Sequence, residues 1–128
     1  MIRKVALLAC VTALATHLAN ADVRHDSIPR SYWGTWGADA EDCKDEKSRL
    51  TLAAKSYVSP EATCTVDYVS EIAGSSGATY SARLQCSSRA QPSGKPTVAN
   101  LIIRPDGTDR MSAGPTFTSL KVYQRCPE

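Results

Sequence analysis

Four features of this chain could carry chemistry, and their spacing narrows which chemistry that is. Cysteines stand at Cys10, Cys43, Cys64, Cys86 and Cys126, histidines at His17 and His25, acidic residues cluster from Asp39 to Glu46, and Gly74-Ser75-Ser76-Gly77 forms a small polar turn. The four later cysteines are 21, 22 and 40 residues apart, with no Cys-x-x-Cys pair. With His25 as the one histidine outside the leader, neither a zinc tetrad nor a thioredoxin-type redox centre can be assembled. No serine or cysteine has a base and an orienting partner within a recognisable motif, and no paired-carboxylate signature appears. The expectation is therefore a protein that is not an enzyme and uses no cofactor and no metal. Oxidation to disulfides is what remains for the cysteines.

That chemistry needs an oxidising compartment, and the N-terminus supplies the address. Arg3 and Lys4 precede an apolar run from Val5 to Ala15, and Ala19-Asn20-Ala21 offers small residues at the positions signal peptidase reads. Residues 1–21 are read as a signal peptide cleaved after Ala21, which sends the protein to the periplasm. The apolar run is too short to span a bilayer as a helix. Leu7-Leu8-Ala9-Cys10 also has the look of a lipid-attachment box, so membrane contact is expected only if Cys10 is lipidated. Cleavage removes Arg3 and Lys4 and no acid, which leaves 13 basic residues of the original 15 against 13 acidic ones. A formally neutral chain has no field to gather nucleic acid, and the local acidic excess lies at Asp39, Glu41, Asp42, Asp45 and Glu46. That run is read as a solvated face that would also attract a basic partner. The even set Cys43, Cys64, Cys86 and Cys126 then closes into two disulfides.

The elements that hold these groups are mostly strands. Residues 22–30 are polar and aperiodic and read as a flexible lead-in, with His25 a solvated residue within it. A single β domain is expected over 31–128. Tyr32-Trp33-Gly34-Thr35-Trp36-Gly37 brings both tryptophans together and is expected to plug one end of the core. Beyond Arg49 the apolar residues recur with period two, as at Tyr80, Ala82, Leu84 and Cys86, between turn signals such as Ser59-Pro60, Asp106-Gly107 and Gly114-Pro115. The class this predicts is mostly β, a small antiparallel barrel or a strongly curved sheet. If 63–69 and 79–87 form a hairpin whose paired positions sum to 150, Cys64 faces Cys86, Val66 faces Leu84 and Tyr68 faces Ala82. Cys64–Cys86 and Cys43–Cys126 are the favoured bridges.

The loop of that hairpin carries a more specific pattern. Ser76-Gly77-Ala78-Thr79-Tyr80 resembles the Ser-Gly-x-x-Tyr motif of bacterial periplasmic lysozyme inhibitors of the C-type and I-type families. The resemblance implies a small exported β domain that binds a lysozyme or lysozyme-like muramidase and inserts this loop into the acidic catalytic cleft. The second motif of the C-type inhibitors, Tyr-x-x-x-Thr-Lys-Gly, has no counterpart here, Gly94-Lys95-Pro96 being the nearest basic loop. In such a site Ser76 would bond a catalytic carboxyl, Gly77 would allow close backbone approach, and Tyr80 would brace the loop. Arg83 and Lys95 are candidate secondary contacts to acidic groups. Gly34-Thr35-Trp36 also resembles the Gly-x-Trp of lipocalin-type barrels, where the ring closes one end of a ligand cavity. The alternative function is therefore a small-ligand-binding barrel of the cell envelope, and plain core packing explains the same tryptophan.

Overall fold

The computed structural model describes residues 23–74 and 77–128. Its strands are β1 (Val23–His25), β2 (Gly34–Gly37), β3 (Leu50–Leu52), β4 (Ser56–Val58), β5 (Ala62–Ile72), β6 (Thr79–Ser88), β7 (Thr97–Pro105), β8 (Arg110–Gly114) and β9 (Lys121–Arg125). A 3-10 turn occupies Arg30–Tyr32, and a five-residue helix, α1 (Ala40–Lys44), follows β2. Strands β2 to β9 pair antiparallel, each with its neighbour in sequence, and β9 returns to pair with β2. The result is a closed up-and-down barrel of eight strands, one of the two forms expected from the period-two pattern. Closure removes most of the exposed edge that an open sheet of this kind would present, the Thr97–Leu101 part of β7 excepted.

The inward face of each strand supplies the core. Trp36, Leu50, Leu52, Val69, Leu84, Leu101, Ile103 and Met111 are all buried. Each fully buried side chain of this size contributes about 1.5–3 kcal/mol, so the barrel interior is the main source of stability. Both expected disulfides are present, Cys43–Cys126 and Cys64–Cys86.

Three expectations need correction. The register of the β5–β6 hairpin sums to 150 only as far as Val66↔Leu84; beyond it Tyr68 faces Arg83 and Val69 faces Ala82. Asp67 is the extra residue of a β-bulge there, with its carboxylate accepting a hydrogen bond from Gln85 Nε2 at 3.0 Å. The bulge places Val69, fully buried, where strict alternation would have put Tyr68. Tyr68 turns to the outer face, where the Arg24 guanidinium lies 4.3 Å from its ring centre. Second, the described part of the lead-in, 23–30, is held in the fold. Val23–His25 pairs with Val69–Glu71 of β5, and Ile28 is wholly buried with its amide bonded to Ala54 O at 2.9 Å. One large apolar side chain and three backbone pairings anchor a segment whose composition is otherwise polar. Third, His25 is not simply solvated, because β1 carries it to a carboxylate on β5.

Alternating strand directions sort the connections between two ends. One end gathers the segment before β2, the β3–β4 connection, the β5–β6 connection (73–78) and the β7–β8 connection (106–109). The other end gathers α1 and the connections 59–61, 89–96 and 115–120. The first end is shut. Ile28, Tyr32 and Trp36 fill it, and Trp36 Nε1 donates to Tyr32 O at 3.0 Å while Trp33 Nε1 donates to Ile28 O at 2.8 Å. Arg125, from the last strand, locks this plug. Its guanidinium lies 4.3 Å from the centre of the Trp36 ring and donates to Trp33 O at 2.8 Å and Ser31 O at 2.5 Å. Gly34 makes the approach feasible: its φ is +126°, and a Cβ there would lie 3.3 Å from the Arg125 guanidinium.

Candidate functional site

At the shut end, the loop singled out from sequence connects β5 to β6, and Ser76 lies outside the described residues. Gly74 and Gly77 on either side are exposed. The Gly77 φ is +117°, and a Cβ on it would lie 2.9 Å from Pro105 Cγ, so this residue rests against the end of β7 and needs to be glycine.

Tyr80 sits at the loop's root and is tied to it. Its hydroxyl donates to Glu71 Oε1 at 2.9 Å, and His25 Nε2 donates to Glu71 Oε2 at 3.2 Å. The Tyr80 ring also meets Tyr32 edge-on at 5.9 Å. Burial, then the neighbouring carboxylate, push the Tyr80 hydroxyl up to about 12. The hydrogen bond from His25, then that from Tyr80, hold the Glu71 carboxyl below its ordinary value of 4.5. A carboxyl depressed by folding stabilises the protein fully above the unfolded value, and that stabilisation disappears as pH falls through the folded one. Glu71→Gln is therefore expected to lose less stability than the parent when acidified below about pH 4.5. Urea midpoints measured from pH 6 to pH 3 check this, and parallel curves would detach Glu71 from the acid limb.

Other predicted residues fall elsewhere. Cys64–Cys86 lies away from the loop, at the far end of the hairpin, eight residues along β5 from Ile72. Arg83 is exposed on the outer face of β6. Lys95 lies in the 89–96 connection at the opposite end of the barrel, so it cannot share one contact patch with Gly77 and Tyr80. Up-and-down topology separates them, since β6 runs the length of the barrel between the two.

The other end of the barrel is open. A cavity of about 340 Å³ enters the interior there. Its floor is apolar, made by Leu50, Leu84, Leu101, Ala113 and the Cys64–Cys86 cystine, and Tyr57 and Tyr123 stand above it. Part of the opening lies in the wall. Strand β8 pairs with β7 only from Ile102 to Pro105, leaving Thr97 to Leu101 bonded to β6 alone. Ala99 and Leu101 on one side and Gly114 and Pro115 on the other frame this gap. Gly114 lets the 115–120 connection fold tightly beside it, because a Cβ would collide with Ser119 O.

The hydroxyls of both tyrosines are shifted upward. Burial pushes the Tyr57 hydroxyl up to about 12, with Tyr123 and Glu61 adding to the effect, and burial followed by Glu61 and Asp42 raises Tyr123. Sequence reading missed this site. Tyr57 lies on a three-residue strand without a periodic signal of its own, and only Tyr123, opposite buried Met111, could have been placed inward by alternation. Among the described residues no group of three His, Cys, Asp or Glu side chains is placed to hold a metal ion. Compared with family models, curated proteins and solved structures, the chain gives no match, so its assignment rests on its own geometry.

Proposed function

We propose that the protein binds a small, mainly apolar molecule in the open end of its barrel. The observation that carries this reading is the asymmetry of the interior: one end is filled by Ile28, Tyr32 and Trp36, while the other holds a cavity of about 340 Å³. That volume lies within the range of small-molecule sites, and an apolar floor beneath a few polar groups is their usual chemistry. The Gly34-Thr35-Trp36 resemblance to lipocalin-type barrels agrees with the tryptophan's place at the shut end. Two disulfides and the leader support export to the periplasm as the setting.

Ala99 borders the cavity and is only partly buried, which makes it the position from which to fill the space. Ala99→Trp is expected to abolish the binding of a short-chain alcohol seen by calorimetry with the parent, while the far-ultraviolet circular dichroism stays unchanged. Equal binding by both proteins would place the molecule elsewhere.

A second reading concerns the opposite end. The Ser76–Tyr80 loop, inserted into the cleft of a lysozyme-like muramidase, would make the protein a periplasmic inhibitor of peptidoglycan hydrolases. What favours it is the His25–Glu71–Tyr80 hydrogen-bonded brace under an exposed loop, since rigidity before binding lowers the ordering cost of association. Ser76→Ala combined with Tyr80→Ala should relieve any inhibition of cell-wall hydrolysis by at least tenfold, on the order of two lost hydrogen bonds. Undiminished hydrolysis in the presence of the parent protein at micromolar excess would remove this reading and leave the cavity reading untouched.

A further inference from the structure

Above its apolar floor the open cavity has a particular chemistry. Tyr57 and Tyr123 place two aromatic rings there, and Glu61 is the one carboxylate among the lining residues. Glu61 is exposed and forms no ion pair with any described residue. Its charge reaches both phenols, and Asp42 adds to it at Tyr123. Lys121 is the single Lys or Arg in the lining, and it is exposed and not paired with Glu61.

From this arrangement we infer that the mouth selects a small amphiphile whose head is a protonated amine, with its apolar body on the floor and its ammonium between the two tyrosines and Glu61. The inference rests on the cavity reading and adds the class of ligand to it. An ammonium there gains two electron-rich rings together with a carboxylate that has no ion-pair partner among the described residues, the nearby Arg89 guanidinium being bonded to Ser59 O instead. A carboxylate head would instead meet Glu61, with Lys121 the one cation of the lining in its favour. An alcohol of the same length keeps the apolar contacts and gains neither charge interaction. Lys121 is exposed, and its ammonium makes no cation–π contact with either ring.

Three isosteric probes separate these cases. Octylamine, octanol and octanoate, each below its micellar concentration, are titrated calorimetrically into the full exported chain at neutral pH. Octylamine is expected to bind about tenfold more tightly than octanol, and octanoate less tightly than octanol. Glu61→Gln should bring the amine-to-alcohol ratio close to one, Lys121→Ala should keep the amine ahead, and Ala99→Trp should abolish binding of all three. Equal affinity for the three probes, or a preference for octanoate that vanishes in Lys121→Ala, would overturn the amine inference alone. Octylamine binding that survives Ala99→Trp would assign it to the acidic surface and also overturn the inference. Failure of all three probes to bind would take the cavity reading with it.

Discussion

Replacing Cys43 and Cys126 together by serine is expected to lower the unfolding free energy by about 4.5 kcal/mol, against about 3.4 kcal/mol for the same change at Cys64 and Cys86. The difference follows from loop length. The first bridge joins residues 83 apart and the second joins residues 22 apart, so the first removes more freedom from the unfolded chain. For a domain of this size 4.5 kcal/mol is a large part of the whole stability. The location of the bridge adds a local consequence. Helix α1 is five residues long and has no buried residue, so on its own it cannot hold together. The seam it is tied to is short: β2 and β9 share two registered pairs, Trp36↔Arg125 and Gly37↔Gln124, and one more bond from Cys126 N to Thr35 O. Losing the bridge should raise amide exchange through 38–49 and along β9 before the rest of the barrel. Urea unfolding of the two serine pairs, with exchange measured on the first, tests both statements. A smaller loss for the Cys43–Cys126 pair than for the Cys64–Cys86 pair would show that chain entropy does not rank them.

Arg125→Ala is the second large effect, expected to cost about 3 kcal/mol. Its guanidinium bonds two carbonyl oxygens, at Trp33 and Ser31, covers the Trp36 ring, and lies 3.3 Å from Asp109 Oδ1. Hydrogen bonds from a charged donor stabilise by about 1.5–3 kcal/mol each, and a stacked cation adds up to about 2 kcal/mol. The side chain is 32 % exposed, so water replaces part of what is lost and the sum is reduced to the figure given. The melting temperature should fall by roughly 12–20 °C. Arg125→Lys should recover less than half of this, because an ammonium has no planar fork to span two carbonyls while lying flat on a ring. Thermal unfolding followed by tryptophan fluorescence reads both variants. Full recovery by lysine would mean that charge alone matters at this position.

Several of these features were legible in the chain itself. Period-two alternation between turn signals is a local property, and it predicted strands at Cys64 to Tyr68 and at Tyr80 to Cys86 whose register then paired two cysteines. The Asp67 bulge escaped the same reasoning because one inserted residue reverses which side chains face inward, and Val66-Asp67-Tyr68-Val69 permits either pattern. Strand β1 escaped because three residues carry too little periodicity. Arg125 reads as an ordinary charge beside a cysteine, yet it is bonded to residues 92 and 94 positions earlier.

Composition and alternation along the strands were enough to predict an antiparallel β domain and to favour the Cys64–Cys86 bridge, because these depend on neighbours a few residues apart or on pairing within one hairpin, whereas Cys43–Cys126, 83 residues apart, followed only as the pair left over. Tertiary structure alone decided that the sheet closes, that Ile28 and Trp36 shut one end, and that the other end stays open. Those outcomes depend on how side-chain volumes from eight strands add up around a common axis. No single segment of the chain carries that sum, so the cavity and the tyrosines above it became visible only in the folded protein.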